Sequence, residues 1–387
     1  MRHNLKVAWS GLKKTDIEND GNRKLGQLVD GIWQPKDLPR VNARGEFVRN
    51  ESDFRSEVGS QEFPAQSGRY HLFVNSGCPW AYRTILYRSL KNLQDTIGIS
   101  YTQPAIGEQG WTFAQPESLL GATHLHDVYA ASDKHFTGRC TVPVLWDKQT
   151  HSIVNNESAQ IIRMLNTAFD ALPGTEKTDY YPEPMRAQID TLNEEIYTNV
   201  NNGVYLCGFA HSQEAYDCAF DNLFRMLDKL DNRLANQRYL CGEQVTEADW
   251  RLFATLVRFD IAYYGQFKCN KQMLKDYPNL WPYCRDLYQL PRVQETVDFQ
   301  AIKSIYYGSI GQRLLPKGPL IDFSQPHHRD WLLRKAVKNN DLFNFSRLNL
   351  QPHLLYKSRR PQNLHAHVYI ETKGVWSPAR GRALHRL

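Results

Sequence analysis

The stretch RYHLFVNSGCPWA, residues 69–81, decides the fold of this chain. Its first part, residues 69–74, alternates and is rich in aromatic and β-branched side chains, which predicts a half-buried strand. A helix is expected over residues 82–93, where apolar side chains recur at helical spacing, with Arg83, Arg88 and Lys91 on its other faces. Pro79 suits the first helical position, because its missing N–H costs nothing there. Cys78 is therefore predicted to lie at a strand-to-helix turn.

The predicted position of Cys78 suits a nucleophile. The positive end of the helix dipole and the N–H groups of the first turn favour a thiolate at such a site. A cysteine with the ordinary pKa of about 8.5 is mostly protonated at neutral pH. We expect the pKa of Cys78 to be low enough to make it mostly thiolate. The alternative, a buried cysteine with only a structural role, stays open from this segment alone.

The composition predicts a globular protein that binds neither nucleic acid nor membranes. The chain has 387 residues, of which 41% are hydrophobic, enough for two domains with full cores. No stretch approaches the roughly 20 apolar residues that span a membrane. Residues 329–387 hold twelve Lys or Arg and three Asp or Glu, so the net charge of +6 leaves −3 for residues 1–328. That mildly acidic body lacks the basic footprint of nucleic-acid-binding proteins.

The cysteines indicate a reducing compartment. The chain has seven, scattered and without a C-x-x-C pair, which argues against a disulfide scaffold, a zinc site and a dithiol redox centre. We therefore expect a cytoplasmic location. The first nine residues, MRHNLKVAW, lack the apolar core of a secretory signal. A short organelle-targeting segment stays open, since no acidic residue precedes Asp16.

The first half of the chain predicts an α/β domain of thioredoxin-like order over residues 68–168. Strand, cysteine turn, helix and a second strand (98–101) come first, and an irregular insert (103–138) follows. A strand interrupted by Pro143 (141–147), another strand (151–154) and a helix (157–166) complete the order β-α-β…β-β-α. Residues 1–67 predict an irregular lead segment with Trp9, Trp33 and Phe63 as isolated anchors.

The second half predicts an all-α domain over residues 185–328. Apolar residues at helical spacing mark one helix from Met185 onward and another over residues 215–234. Thr246 and Asp249 form a capping-box pattern, which we interpret as a helix start without a chemical role. Residues 329–387 are left as a basic extension whose role the sequence does not indicate.

Five motifs, in register, resemble one family. They are CPWA at 78–81, TVPVLWD at 141–147, NES at 156–158, NNGVY at 201–205 with GFA at 208–210, and TEADWRLF at 246–253 with RFD at 258–260. Over roughly residues 8–330 the chain resembles the glutathionyl-hydroquinone reductases, the Xi class of glutathione transferases. The resemblance implies a thioredoxin-like domain followed by a glutathione-transferase-type helical domain. One departure is that Leu314-Leu315-Pro316 replaces the Asn-Pro expected there.

The resemblance also implies the site residues. Cys78 would be the catalytic nucleophile, and Tyr205 with Tyr306 or Tyr307, between which the sequence does not decide, would offer phenols to the second substrate. Glutathione would be a co-substrate, and no metal is expected. Its binding residues would be Trp111 as a cover, Val142 before a cis-Pro143 for the cysteinyl backbone, Glu157 and Ser158 for the γ-glutamyl group, and Arg139 for the glycyl carboxylate.

The implied reaction is reduction of a glutathionyl-hydroquinone through a mixed disulfide between Cys78 and glutathione, by a homodimeric enzyme. A Ser or Tyr hydroxyl would leave the glutathione thiolate to attack, whereas a cysteine attacks sulfur itself. Two alternatives stay open. One is an omega-like thioltransferase or dehydroascorbate reductase, and the other is a glutathione-transferase-like binding module without activity.

Overall fold

The computed structural model describes residues 26–35, 41–309 and 314–332. A mixed four-stranded sheet with helices packed on it forms the first half of the molecule. The elements of this half are β3 (Tyr70–Val74), α1 (Pro79–Leu90), β4 (Gly98–Tyr101), α2 (Leu125–Ser132), β5 (Val144–Asp147), β6 (Ser152–Asn155) and α3 (Ser158–Thr167). The sheet order is β4-β3-β5-β6. Strand β3 runs parallel to β4 and antiparallel to β5, which is antiparallel to β6. The predicted thioredoxin-like order is confirmed.

The second half is helical, as predicted. Two π-helical turns, Tyr197–Asn201 and Phe259–Tyr263, interrupt its helices, and three short 3₁₀ turns lie at Glu183–Met185, Leu274–Asp276 and Gln294–Thr296. The helices are α4 (Arg186–Ile196), α5 (Gly203–Gly208), α6 (Gln213–Leu234), α7 (Glu247–Arg258), α8 (Tyr264–Gln266), α9 (Leu280–Tyr288) and α10 (Phe299–Tyr307). The predicted boundaries between the domains stay predictions. Among the described residues, no helix is long and apolar enough to cross a bilayer.

Helix α1 is buried on nearly every side, which the sequence did not indicate. It contacts β3 on the sheet, α3 beside it and α7 of the helical half. Arg83 and Lys91, expected on outer faces, are 2% and 0% exposed. The Lys91 ammonium donates to the carbonyl of Thr178 and lies 3.1 Å from a carboxylate oxygen of Asp170. Buried charges of this kind need such partners, and for Lys91 the segment that connects the two halves supplies them.

The capping box of α7 is a helix start, as predicted. The Asp249 carboxylate accepts hydrogen bonds from the Thr246 N–H (2.8 Å) and hydroxyl (2.9 Å). It also accepts from the Leu240 N–H and the Tyr283 hydroxyl. Burial raises the pKa of this carboxyl, and the four donors oppose that effect. Asp249 therefore ties α7 to α9 and to the preceding loop.

Two segments expected to be irregular contain regular structure. Strands β1 (Gln27–Val29) and β2 (Ile32–Gln34) form a hairpin, whose turn residues Asp30 and Gly31 both have positive φ, the conformation that a two-residue hairpin turn requires. Helix α2 lies inside the insert, and a capping box between His124 and Asp127 opens it. Trp9 lies outside the described residues, as does the basic extension from residue 333 on.

The start of the basic extension packs on the helical half. Arg329 is 4% exposed, and its guanidinium donates to the carbonyls of Leu234, Gln237 and Arg238. These acceptors lie at and just beyond the C-terminus of α6, where the carbonyls have no partner within the helix. Arg329 therefore holds the start of the extension against the end of α6.

Gly77 is required by the close approach of α10 to the cysteine turn. A Cβ at this position would lie 2.5 Å from the carbonyl oxygen of Ala301 and 2.7 Å from the side chain of Ile305. We expect Gly77→Ala to lower the free energy of unfolding by about 1–3 kcal/mol, as overpacking usually does. Denaturant unfolding measures the loss. Gly107→Ala is the matched control, since nothing lies within 4 Å of its Cβ position; equal stabilities of the two variants would contradict the steric argument.

Candidate active site

A cavity of about 350 Å³ lies between the cysteine turn and the helical half. This volume is in the range of small-molecule sites. The lead segment, the cysteine turn, the strand with Pro143, the start of α3 and the helical half all contribute to its wall. The main lining residues are Phe47, Arg49, Cys78, Trp80, Trp111, Arg139, Val142, Pro143, Glu157, Ser158, Tyr197, Tyr205, Phe209 and Ile305. The structure thus brings together every residue predicted for the site except Tyr306 and Tyr307.

Cys78 is the residue immediately before α1, with extended backbone (φ −73°, ψ 124°) and Pro79 at the first helical position, as predicted. The Asn75 amide oxygen accepts from the N–H groups of Gly77 (2.9 Å) and Cys78 (3.2 Å). From the helical half, the buried Arg258 donates to the carbonyls of Ser76 and Gly77. The cysteine turn is therefore fixed from both halves, and the side chain of Cys78 lies in the cavity wall, with the residue 6% exposed.

The predicted low pKa of Cys78 is wrong. Burial raises the pKa of this thiol above its ordinary value, because an apolar surrounding disfavours the charged form. The N–H groups of Ala81 and Trp80 in the first turn of α1, and the cations of Arg258 and Arg49, lower the pKa but do not outweigh burial. The sequence showed the helix terminus and not the burial of its surroundings. The raised pKa favours the thiol form of Cys78 in the absence of substrate.

The raised pKa predicts how Cys78 reacts with an alkylating agent. Only the thiolate is the nucleophile, so the rate with iodoacetamide should rise with pH and reach half its maximum above about 8.5, the value for an ordinary cysteine. Rates measured between pH 6 and 10 without glutathione test this, with the labelled peptide identified because Cys218 is exposed. A half-maximum below pH 7.5 would show that the helix terminus and the arginines prevail over burial.

The predicted glutathione-binding residues all line the cavity. The peptide bond between Val142 and Pro143 is cis, as predicted. Glu157 is the residue before α3, and its carboxylate accepts from the Ala159 N–H (3.0 Å) and from the Ser52 hydroxyl (3.1 Å). The Ser158 hydroxyl accepts from the buried Arg83 at 3.3 Å. The start of α3 thus brings a hydroxyl and a carboxylate into the cavity wall, at the positive end of a helix dipole.

The phenols are arranged in a chain. The hydroxyl oxygen of Tyr306 lies 2.9 Å from that of Tyr205 and 2.8 Å from that of Tyr263. Tyr205 lines the cavity, whereas Tyr306 and Tyr263 are buried behind it. Tyr307 instead donates to the carbonyl of Ile261 (3.3 Å). The geometry favours Tyr306 over Tyr307 as the partner of Tyr205, a choice that the sequence left open. Burial raises the pKa of Tyr306 and Tyr263, so both are protonated.

Sequence reasoning missed Arg49, Tyr197 and Tyr263. Arg49 and Tyr197 line the cavity, and Tyr263 completes the phenol chain. Arg49 stands in the lead segment, which was predicted only to pack irregularly on the core. Tyr197 and Tyr263 lie in the two π-helical turns. A widened turn of this kind shifts the face that later residues present, so helical spacing could not place them.

One cluster of possible metal ligands occurs in the described part of the chain, formed by His124, His126 and Asp127. The two imidazole rings are stacked, with centroids 4.7 Å apart and an interplanar angle of 8°. A metal ion lies in the plane of each imidazole that binds it, and two stacked parallel rings share no such point. The side chains of His124 and Asp127 instead cap α2, and His126 stacks on the ring of Trp33. The cluster gives no support for a metal centre.

Comparison with known families agrees with this architecture. The glutathione S-transferase N-terminal domain family matches residues 77–168, and the C-terminal domain family matches residues 210–286. The chain is 46% identical to glutathionyl-hydroquinone reductase YqjG of Escherichia coli K12 over 327 residues, 79% of this chain and 99% of that protein. It is also 46% identical to glutathionyl-hydroquinone reductase PcpF of Sphingobium chlorophenolicum over 293 residues, 74% of this chain and 92% of that protein.

Solved structures show the same similarity. The glutathione-bound structure of YqjG from Escherichia coli K12 has a TM-score of 0.70 at 45% identity, covering 79% of this chain and 99% of that one. A Xi class glutathione transferase from Natrialba magadii has a TM-score of 0.73 at 40% identity, covering 80% and 97%.

Proposed function

The chain belongs to the glutathione transferases, within the Xi class that includes the glutathionyl-hydroquinone reductases, and from this we propose that it reduces glutathionyl-hydroquinones with glutathione. One observation carries the proposal. A cysteine, and not a serine or tyrosine, precedes the first helix of the thioredoxin-like half, and it lies in a cavity that also has an aromatic wall. A thiol there can attack the sulfur of a glutathionyl group.

We propose that glutathione binds along the sheet side of the cavity. The backbone N–H and C=O of Val142, next to cis-Pro143, would pair with the cysteinyl unit like an added strand. The Glu157 carboxylate would bind the α-ammonium, and Ser158 with the start of α3 would bind the α-carboxylate. Trp111 would cover the tripeptide, and Arg139 would neutralise the glycyl carboxylate. This placement directs the glutathione sulfur towards Cys78.

In the first step, Cys78 sulfur attacks the glutathione sulfur that is bonded to the aromatic ring. The Cys78–glutathione disulfide forms, the bond between sulfur and ring carbon breaks, and the ring carbon takes up one proton as the hydroquinone leaves. Deprotonation of the Cys78 thiol releases one proton, so the step is proton-neutral when Cys78 starts as a thiol. The raised pKa of Cys78 is therefore compatible with the overall balance.

In the second step, the thiolate of a second glutathione attacks the sulfur of that glutathione in the mixed disulfide. Oxidised glutathione leaves and Cys78 is restored. Per turnover, two electrons pass from the two glutathione sulfurs to the ring carbon, and no further reductant is needed. A resolving cysteine is not needed either, which agrees with the absence of a C-x-x-C pair.

We propose that Tyr205 donates the proton to the leaving ring carbon. The distances allow Tyr263 to donate to Tyr306 and Tyr306 to donate to Tyr205. With the hydrogen bonds in that direction they polarise one another, which would make the Tyr205 hydroxyl a stronger donor. Tyr306 and Tyr263 act through Tyr205 and are positioning residues. Of the three hydrogen-bonded phenols Tyr205, Tyr306 and Tyr263, Tyr205 is the one that lines the cavity, so it alone of the three can reach the substrate.

The location and assembly complete the proposal. All seven cysteines are free thiols, which supports a reducing, cytoplasmic compartment. We propose a homodimer by membership of the Xi class. No role for nucleic acid or a membrane is proposed.

The function is tested by turnover and by mass. Purified protein is given glutathione with either a glutathionyl-benzohydroquinone or a glutathionylated peptide, and product release is measured by chromatography. Faster turnover of the hydroquinone supports the reductase, whereas faster release from the peptide supports the omega-like thioltransferase. In parallel, the protein is mixed with oxidised glutathione, and its intact mass is measured by mass spectrometry. A single glutathione on the peptide containing Cys78 supports the mixed disulfide. If neither substrate is turned over and no adduct forms, only the binding module remains.

A further inference from the structure

The guanidinium group of Arg49 lies in the aromatic wall of the cavity, where the described residues give it no anionic partner. It stands over three rings, with its central carbon 4.7 Å from the centroid of Trp80, 5.0 Å from Tyr205 and 5.4 Å from Phe47. Its Nε donates to the side-chain oxygen of Asn202 at 3.0 Å. Its Nη2 is buried and has no hydrogen-bond partner, and no carboxylate in the described residues pairs with it.

This arrangement is costly unless a ligand completes it. A buried donor of a charged group loses its hydration, and contact with neighbouring rings does not compensate for the missing hydrogen bond. Asn202 and the stacked rings fix the plane of the guanidinium, so its remaining N–H groups have a fixed direction. The Arg49 guanidinium has a fixed orientation, an unused N–H donor and aromatic rings around it. It therefore fits an anionic oxygen carried on an aromatic ring.

We propose that Arg49 is an anion subsite of the second-substrate pocket and selects aromatic rings that carry a carboxylate or a phenolate oxygen. The inference rests on the proposed function and narrows its substrate class. The guanidinium group of Arg49 contacts the rings of Phe47, Trp80 and Tyr205, none of which is predicted to bind glutathione. The anion it binds is therefore on the ring and not on the tripeptide. Acidic hydroquinones would be preferred over neutral ones of the same size.

Binding of the ring alone tests the subsite without any turnover. The full chain with Cys78→Ser, which removes the reactive thiol, is titrated by calorimetry with 2,5-dihydroxybenzoate, with neutral 1,4-dihydroxybenzene and with glutathione. We expect the carboxylated ring to bind about tenfold or more tighter than the neutral ring, as charge-assisted hydrogen bonds allow. A second probe, 4-nitrophenol, is titrated as the phenol at pH 5.5 and as the phenolate at pH 8.5, which separates a ring oxygen from a carboxylate substituent.

Three variants in the same background identify the residue. Arg49→Gln should remove the preference for the charged ring and change glutathione affinity less than about threefold. Arg49→Lys keeps the positive charge but lacks the planar, paired N–H donors of the guanidinium, so it should retain part of the preference for the charged ring. Arg55→Gln is the matched control, since Arg55 belongs to the same segment, is 40% exposed and pairs with Glu51.

The outcomes are decisive in both directions. Equal affinity of the unsubstituted Arg49 protein for charged and neutral rings overturns the inference. So does a loss of glutathione affinity in Arg49→Gln as large as the loss for the ring, which would place Arg49 in the tripeptide site. Should Arg49→Gln fail to fold, the comparison of Arg49→Lys with the Arg49 protein carries the test. Failure of the reductase assay leaves these binding results standing, so the two proposals fail separately.

Discussion

Replacing Cys78 with serine should reduce glutathionyl-hydroquinone turnover by about 10⁴-fold or more, to the background rate. Both steps pass through the Cys78 sulfur, and loss of a covalent nucleophile is among the largest effects of a single substitution. A serine hydroxyl at this position can still donate to a glutathione thiolate, so conjugation to an electrophile such as 1-chloro-2,4-dinitrobenzene should persist or appear. Chromatography of released hydroquinone and absorbance of the conjugate measure the two reactions.

Cys218→Ser is the matched control for this substitution. Cys218 is exposed on α6 and does not line the cavity, so its removal should leave turnover unchanged. The Cys78→Ser variant should also bind glutathione and unfold at nearly the same denaturant concentration as the parent chain. Turnover of Cys78→Ser within tenfold of the parent would mean that glutathione itself attacks the substrate and that no mixed disulfide is needed.

The order of the first half followed from local signals in the sequence. Cys78 and Pro79 marked a strand-to-helix turn, and Pro143 marked an interruption of the strand predicted over residues 141–147, because proline has no N–H to donate. Strand β5 indeed begins only at Val144. Thr246 and Asp249 marked the start of α7, and the capping box is present. Each of these signals depends only on residues close together in the sequence. Tertiary packing therefore did not alter the local structure that they predict.

What the sequence could not show depends on contacts between distant segments. The burial of Arg83 depends on Asn201 of the helical half, and that of Lys91 on Asp170 and Thr178, which lie between the two halves in the sequence. The raised pKa of Cys78 has the same origin, since desolvation comes from everything packed around the turn. Asp30 and Gly31 could have indicated the hairpin, because Asp-Gly is a strong two-residue turn signal. His124 gave no such signal, since histidine is not a preferred residue before a helix.

The candidate site was predictable where the family motifs reach it and not elsewhere. Two adjacent tyrosines, 306 and 307, both fit the resemblance, and only their hydrogen-bond partners separate them. Adjacent residues on a helix point about 100° apart, so one of the two had to face away. Arg49 lies in a lead segment that carries no helix or strand pattern around it. Its position among three rings is a property of the folded chain alone.

The phenol chain predicts a graded loss of proton transfer. Tyr205→Phe should slow turnover by about 10²-fold or more, the usual range for a general acid, whereas Tyr306→Phe, which acts through Tyr205, should cost about tenfold. Only hydroquinone release should slow, because attack of glutathione on the mixed disulfide needs no phenol. Rapid-quench measurements of the two steps separate them, with Tyr307→Phe as the control because it donates to a backbone carbonyl instead. Equal slowing of both steps would assign these tyrosines to binding, and a larger loss in Tyr307→Phe than in Tyr306→Phe would reverse the choice between them.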